Sequence, residues 1–212
     1  MHQDTPPLVR PDDTLDRACQ LLFATGEPLS MRRLALELGH EPAAVEQAVA
    51  RFEQVGRIRR GDDGAIVASY GVSVVPAEYE VRVASRLRWA SCAKTGLGVL
   101  GALAAGGTLS TLGEDGSGPL VVEFDGGHPL PSRHAVLWPS ERFQNDCRSA
   151  AGELCTTFAL FASARAAADW AAIRGLDAEV LTVEEATART VDRYRHSLGL
   201  PATRDELLGH AR

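Results

Sequence analysis

Three short stretches of helically spaced apolar residues, each followed by a glycine, occupy the first third of the sequence. Glycine and proline end helices because neither favours the helix interior. The predicted helices lie at about residues 14–24, 30–39 and 42–56. Ile58, an Asp-Asp-Gly turn and an apolar strand over 66–68 follow them. Three helices and a two-stranded wing are typical of a winged helix-turn-helix, which we predict for residues 14–76, after a flexible arm over 1–13.

The excess of acidic residues argues against a protein that binds nucleic acid. The chain has 28 Asp and Glu residues against 22 Lys and Arg, a net charge of −6, whereas phosphate binding requires clustered cations. The third predicted helix, which would contact DNA bases, carries Glu41, Glu46 and Glu53 and only Arg51. We therefore expect an accessory module and no nucleic-acid partner.

The remainder of the chain, residues 77–212, shows the pattern of a core built from strands and helices. Apolar residues alternate with charged ones from Tyr79 to Val83, which predicts a strand that continues to Trp89. The other predicted elements are a helix over 93–105, a hairpin over 109–124, strands over 135–138, 156–161 and 180–181, and helices over 163–173 and 182–198. Hairpins followed by helices indicate the α+β class, with a mixed or antiparallel sheet core and flanking helices.

No segment of the sequence has the pattern of a secretion signal or a membrane span. The first residues lack the cationic and apolar regions of a signal peptide, and the longest weakly polar run, 96–109, is too short to cross a bilayer. We therefore expect a cytoplasmic protein with no membrane partner. In that reducing compartment Cys19, Cys92, Cys147 and Cys155 are expected to be free thiols, metal ligands or nucleophiles.

Cys92 lies where a predicted strand gives way to a predicted helix, two residues before Lys94, the only lysine in the chain. The positive end of a helix dipole and a nearby ammonium both lower a thiol pKa and favour the thiolate. The alternative interpretation makes Cys92 a small core residue, since free cysteine is among the most buried residue types. A zinc site formed by Cys92, Cys147, Cys155 and a histidine is a further alternative, although the spacing matches no zinc motif.

Four motifs, in this order along the chain, resemble the organomercurial (alkylmercury) lyase family. Gly64–Gly71 resembles the wing of that family, and Trp89–Thr95 (Trp-Ala-Ser-Cys-Ala-Lys-Thr) its first cysteine segment. Cys155 precedes Leu160–Ser163 (Leu-Phe-Ala-Ser), and Asp169-Trp170 lies in the helix beyond. The resemblance implies a winged-helix-like N-terminal region and a catalytic core with two active cysteines, which by this register are Cys92 and Cys155.

The resemblance implies an enzyme that cleaves carbon–mercury bonds by protonolysis and releases a hydrocarbon. Cys92 and Cys155 are then both catalytic residues and ligands of mercury, a soft metal that prefers thiolates. The expected substrate is a small organometallic compound. No cofactor is implied, since Hg(II) is the bound product, and a mercuric reductase is an expected acceptor of that product.

The sequence departs from the family at the position three residues after the first cysteine, where members carry an aspartate that transfers protons and binds metal. Thr95 stands there, beside Lys94, and a threonine hydroxyl is a poor acid at neutral pH. Lys94 as an ammonium, or the thiol of Cys155, is expected to deliver the proton instead. A further, non-catalytic cysteine of the family has no counterpart near Gly113.

Two other hypotheses remain beside the organomercurial lyase. The first keeps the fold but gives the enzyme a different substrate, for example in a biosynthetic pathway, because Thr95 replaces the usual acid. The second is a metal-responsive regulator that uses the winged helix to bind DNA, although the acidic third helix argues against it.

Overall fold

The computed structural model describes residues 11–146 and 150–201. Most of the predicted arm, residues 1–10, and Cys147 therefore lie outside the described residues. Residues 11–13, which the sequence analysis assigned to the arm, form the first turn of helix α1 (Pro11–Thr25). Proline suits a first turn because its φ is already helical and the amide that it lacks would have no partner there.

The three predicted N-terminal helices are confirmed as α1, α2 (Met31–Leu38) and α3 (Pro42–Gln54). The side chain of Ser30 caps α2 as predicted, accepting a hydrogen bond from the Arg33 amide at 3.3 Å. Strands β1 (Ile58–Arg60) and β2 (Ile66–Ser69) form an antiparallel hairpin after them. The helices and hairpin bury an apolar core of their own, which includes Leu15, Leu22, Leu34, Val45, Val49 and Ile66. This arrangement is compatible with the expected winged helix.

A large antiparallel sheet continues from this hairpin into the rest of the chain. Its further strands are β3 (Val72–Ser73), β4 (Tyr79–Val83), β5 (Arg86–Ala90), β6 (Gly107–Leu112), β7 (Pro119–Asp125) and β8 (His128–Pro129). The strand order is β1-β2-β3-β5-β4-β6-β7-β8, so β3 connects the hairpin to the core. The single strand predicted to continue to Trp89 is instead a hairpin, β4 and β5, because the chain turns at Ala84 with a φ of 51°.

A second antiparallel sheet has three strands in the order β10-β9-β11. Its central strand is β9 (Ala135–Pro139), between β10 (Leu160–Phe161) and β11 (Ala178–Thr182). Helix α6 (Ala164–Arg174), capped by Ser163 as predicted, packs its alanines against this sheet. Antiparallel sheets flanked by helices confirm the predicted α+β class.

Helix α4 (Ala93–Leu103) passes through the middle of the molecule and is buried along nearly its whole length. The expected C-terminal helix is confirmed in position but is divided into α7 (Val183–Ala188), which begins with the predicted Thr182 capping box, and α8 (Val191–Ser197). Within the described residues, no helix is both long enough and apolar enough to cross a membrane.

The segment before β10 differs from its prediction. After α5 (Glu141–Asp146) and three residues that are not described, a π-helical turn covers Ala150–Leu154 and a 3-10 turn covers Cys155–Thr157. The strand predicted over 156–161 is therefore reduced to the two residues of β10. Local apolar content suggested a strand, but the hydroxyls of Thr156 and Thr157 bond to carbonyls three residues earlier, at 2.9 and 2.6 Å, and favour a turn.

The glycines of α4 allow α8 to lie directly against it. A Cβ at Gly98 would lie 2.2 Å from Cδ2 of Tyr194 on α8, so only glycine leaves room for that ring. We predict that Gly98→Ala costs about 1–3 kcal/mol of unfolding free energy in urea, because the packed ring has to move. The control Gly106→Ala, whose Cβ would be 3.5 Å from its nearest neighbour, should cost less than about 1 kcal/mol. Equal costs for the two variants would contradict this view of the α4–α8 contact.

Candidate active site

Cys92 is the N-cap residue of α4 and lies two residues after the end of β5, with Ser91 between them. Its side chain is only 2% exposed, and its position places the thiol at the positive end of the α4 dipole. The next amide, of Ala93, donates a hydrogen bond of 2.9 Å to the carbonyl of Phe158. That bond joins the start of α4 to the segment that carries the second predicted cysteine.

Cys155 begins the 3-10 turn that precedes Phe158, and its carbonyl accepts a bond of 3.2 Å from the Phe158 amide. Its thiol receives a hydrogen bond of 3.3 Å from the hydroxyl of Ser91, the residue before Cys92, and it lines the same cavity as Cys92. The structure therefore brings together the two cysteines that the sequence analysis paired across 63 positions of the chain.

The proximity of the two thiols shifts their pKa values in opposite directions. The pKa of Cys92 falls to about 6, chiefly because the Cys155 thiol donates a hydrogen bond to the Cys92 sulfur. Thr95 lowers the pKa of Cys92 further through its hydroxyl and backbone amide, and so does the positive charge of Lys94. The pKa of Cys155 rises well above its usual range, because ionising it would break that bond, would place a charge in a buried position and would repel the neighbouring thiolate. These opposite shifts favour a state with a thiolate at Cys92 and a thiol at Cys155.

Thr95, at the position of the expected acid, is 2% exposed and lies within a chain of hydrogen bonds. Its Oγ1 is 3.3 Å from the Cys92 sulfur and 2.8 Å from the hydroxyl of Tyr194, which is also 3.2 Å from the Tyr70 carbonyl. Sequence reasoning missed Tyr194 and Ser91. Tyr194 lies 99 residues from Thr95, and only the glycine opposite its ring in α4, Gly98, offered a sequence signal for the contact.

Lys94 lies beside the two sulfurs. Among the described residues, no hydrogen bond joins its ammonium group to either sulfur. Its Nζ is 4.6 Å from the centre of the Phe158 ring and 5.4 Å from that of Trp138, positions that favour a cation. Burial lowers the pKa of Lys94, while the charges of the nearby Cys92 and Cys155 oppose that change. Lys94 therefore supplies a partly desolvated positive charge next to the thiolate.

A cavity of about 620 Å³ opens onto the thiol pair. Its walls come from both halves of the chain, since the N-terminal hairpin, the start of α4, the π-helical turn and α8 all contribute. The lining includes Cys92, Thr95, Cys155, Phe158, Arg57 and Arg193. The cavity has room for a small molecule to reach both sulfurs.

The other predicted metal ligands do not join this site within the described part of the chain. No group of three or more His, Cys, Asp or Glu residues lies close enough there to hold a metal ion, and Cys147, part of the zinc alternative, lies outside that part. Cys19 is fully buried in α1, where desolvation raises its pKa to about 12. Two thiols, with no third His, Cys, Asp or Glu ligand among the described residues, suit a soft metal that accepts two sulfurs.

Comparisons with known proteins point to one family. A family model described as alkylmercury lyase (MerB) matches residues 72–192. A solved structure titled as the mercury-bound form of MerB2 superposes with a TM-score of 0.76 at 22% identity, covering 90% of this chain and 93% of that one. None of the curated proteins matches the chain significantly.

We predict that the low pKa of Cys92 depends on a hydrogen-bond donor at position 155. Cys155→Ala removes the donor, so the thiolate fraction of Cys92 at pH 6 and its rate of alkylation should fall by roughly fivefold. Cys155→Ser, which keeps an O–H donor, should retain more of the rate. Mass spectrometry of the Cys92 peptide after timed alkylation from pH 5 to 9 measures the change. An alkylation midpoint that is the same in the alanine variant as in the unaltered chain would contradict the assignment.

Proposed function

The chain belongs to the alkylmercury lyase family, and from that premise we propose that it cleaves carbon–mercury bonds by protonolysis at Cys92 and Cys155. The observation that carries the proposal is that Cys92 and Cys155 lie together in the wall of one cavity, where the pKa of Cys92 is lowered and that of Cys155 is raised. Cleavage needs both states at once, because the thiolate binds the metal and the thiol holds a proton.

In the first step, the Cys92 thiolate attacks the mercury of R–Hg–X and displaces X⁻. The pKa of about 6 supports this role, since most of the thiol is ionised at neutral pH before the substrate arrives. Mercury is a soft acid and thiolate is the softest ligand in a protein. The product of this step is R–Hg–S(Cys92).

In the second step, the Cys155 sulfur approaches the same mercury while its proton passes to the carbon. The carbon–mercury bond breaks, its electron pair takes the proton, and R–H leaves; the remaining species is S(Cys92)–Hg–S(Cys155). Atoms and charges balance without a further acid. The raised pKa of Cys155 supports this role, because its thiol stays protonated beside the Cys92 thiolate. When the Cys155 sulfur binds mercury it becomes more acidic, so its proton can pass to the carbon.

Thr95 and Lys94 assist these steps in the proposal without giving up the proton. The hydroxyl of Thr95 is placed to donate to the Cys92 sulfur while receiving a bond from Tyr194, which fixes the thiolate in position. Lys94 stabilises the negative charge of the resting thiolate. Under this proposal the substitution of threonine for the family's aspartate leaves a route for the proton, through Cys155. Hg(II) then leaves to external thiols or to an acceptor such as a mercuric reductase.

The assay for this function incubates the protein with phenylmercury and an excess of small thiol and measures benzene by gas chromatography. We expect benzene well above the thiol-only control, and a loss of at least about 100-fold in both Cys92→Ser and Cys155→Ala, because each removes a reacting group. The matched control Cys19→Ser, at a cysteine outside the cavity, should retain activity if it folds. Absence of benzene from the folded unaltered protein would refute the proposal.

A Thr95→Asp variant separates the mercury lyase from the related hypothesis that the enzyme acts on another class of substrate. The variant restores the acid that other family members carry, so under our proposal it should cleave phenylmercury at least as well as the unaltered chain. Circular dichroism and the unfolding midpoint confirm that the variant is folded. If neither the folded variant nor the unaltered chain cleaves any organomercurial, the cavity serves a different substrate.

A further inference from the structure

The cavity above the thiol pair carries a group of arginines that the proposed mechanism does not use. Arg57 lies between α3 and β1, Arg59 lies on β1 and Arg193 lies on α8, and all three line the cavity and are exposed to solvent. Lys94 adds a fourth cation nearer the sulfurs. The cluster is unexpected in a chain with a net charge of −6.

No carboxylate of the described residues forms an ion pair with these arginines. Among the described residues, no carboxylate lies within ion-pair distance of Arg57, Arg59 or Arg193. Glu53, the carboxylate that lines the same cavity, forms an ion pair of 3.0 Å with Arg60 instead. Within residues 11–146 and 150–201, the cavity therefore presents guanidinium groups that no carboxylate pairs with.

The structural roles of the three arginines leave donor groups available. Arg193 lies over the ring of Tyr70, 4.6 Å from its centre, and donates to the Tyr70 hydroxyl. Arg59 donates to the hydroxyl of Ser73 at 3.3 Å. The backbone of Arg57 bonds to Phe52 and Tyr70, but its guanidinium has no hydrogen bond or ion pair to another described residue. Each guanidinium has five N–H donors, so most of them face solvent or the cavity.

Activation of the thiol does not require this cluster. Hydrogen bonds from Cys155 and Thr95, together with the charge of Lys94, already lower the pKa of Cys92 to about 6. A neutral alkylmercury compound has no group that would pair with a guanidinium. A carboxylate does, because guanidinium binds it through two parallel hydrogen bonds and attracts it through charge.

We propose that Arg57, Arg59 and Arg193 form a carboxylate-recognition site, so that the cavity selects mercury compounds that carry a carboxylate beside the metal. This inference rests on the proposed function and names its substrate class. The carboxylate has two sources, the organic group that is cleaved or the small thiol that coordinates the mercury on delivery. Both would place the anion at the cavity mouth while the mercury reaches the sulfurs.

The first test does not depend on mercury. Iodoacetate and iodoacetamide both alkylate Cys92, with release of iodide, and differ in the carboxylate. We expect the ratio of their rates (iodoacetate to iodoacetamide) at Cys92 to exceed the ratio for a free small thiol, and to fall about fivefold in Arg57→Gln, as expected for one charge at a partly exposed site. Arg57→Lys should retain part of the ratio. The matched control Arg51→Gln, an exposed arginine of α3 that does not line the cavity, should leave it unchanged.

The second test compares cleavage of 4-carboxyphenylmercury and phenylmercury in the presence of a neutral thiol, 2-mercaptoethanol. If the carboxylate belongs on the organic group, the ratio of kcat/KM should favour the carboxylated compound, and Arg57→Gln should lower that ratio about fivefold. If it belongs on the thiol, the preference should appear instead when phenylmercury is supplied with thioglycolate rather than 2-mercaptoethanol.

The two tests separate the failure of this inference from the failure of the lyase proposal. An alkylation ratio equal to that of a free thiol, or one that Arg51→Gln lowers as much as Arg57→Gln, overturns carboxylate recognition whatever the enzyme cleaves. A raised ratio that depends on Arg57, without cleavage of any organomercurial, keeps the anion site and overturns the lyase function. Cleavage without a preference for the carboxylated organomercurial or for thioglycolate in the second test overturns the assignment of the substrate class.

Discussion

One backbone hydrogen bond, from the Ala93 amide to the Phe158 carbonyl, fixes the relation between the two thiols. It joins the start of α4 to the segment after the 3-10 turn of Cys155, which lie far apart in the chain, and the bond from the Ser91 hydroxyl to the Cys155 thiol adds a second link. The backbone bond also satisfies an amide of the first turn of α4, which has no partner within the helix. The same contact therefore stabilises the helix end and holds together the two segments that carry the cysteines.

The contact between the sulfurs determines their chemistry, because a buried pair of thiols cannot lose both protons at neutral pH. The first ionisation is stabilised by the remaining thiol, and the second is opposed by the first thiolate. In the proposed mechanism, a nucleophile and an acid thus arise from two identical side chains. Under our proposal this accounts for a threonine at the family's acid position. The N-terminal module contributes Arg57 and Arg59 to the wall of the cavity.

The sequence predicted the helices of the N-terminal module, α4, α6 and the β6–β7 hairpin, because glycines, caps and apolar periodicity act locally. The pairing of Cys92 with Cys155 came from resemblance to a family, since no local pattern joins residues so distant. Tyr194 and the arginine cluster could not be predicted, because they depend on how α8 and the N-terminal hairpin pack around α4. The turn at Cys155 was missed because apolar content alone does not distinguish a strand from a buried turn.

The central claim concerns the step after Cys92 has bound the mercury of the substrate. In that step, Cys155 gives its proton to the carbon bonded to the mercury, and the carbon–mercury bond breaks. A single-turnover experiment without added thiol tests it most directly, with one equivalent of phenylmercury mixed with the protein and benzene and bound mercury followed by gas chromatography and mass spectrometry. The account predicts one benzene per chain from the unaltered protein, and from Cys155→Ala a phenylmercury adduct at Cys92 that releases none. Benzene release from Cys155→Ala at the rate of the unaltered protein would contradict the account.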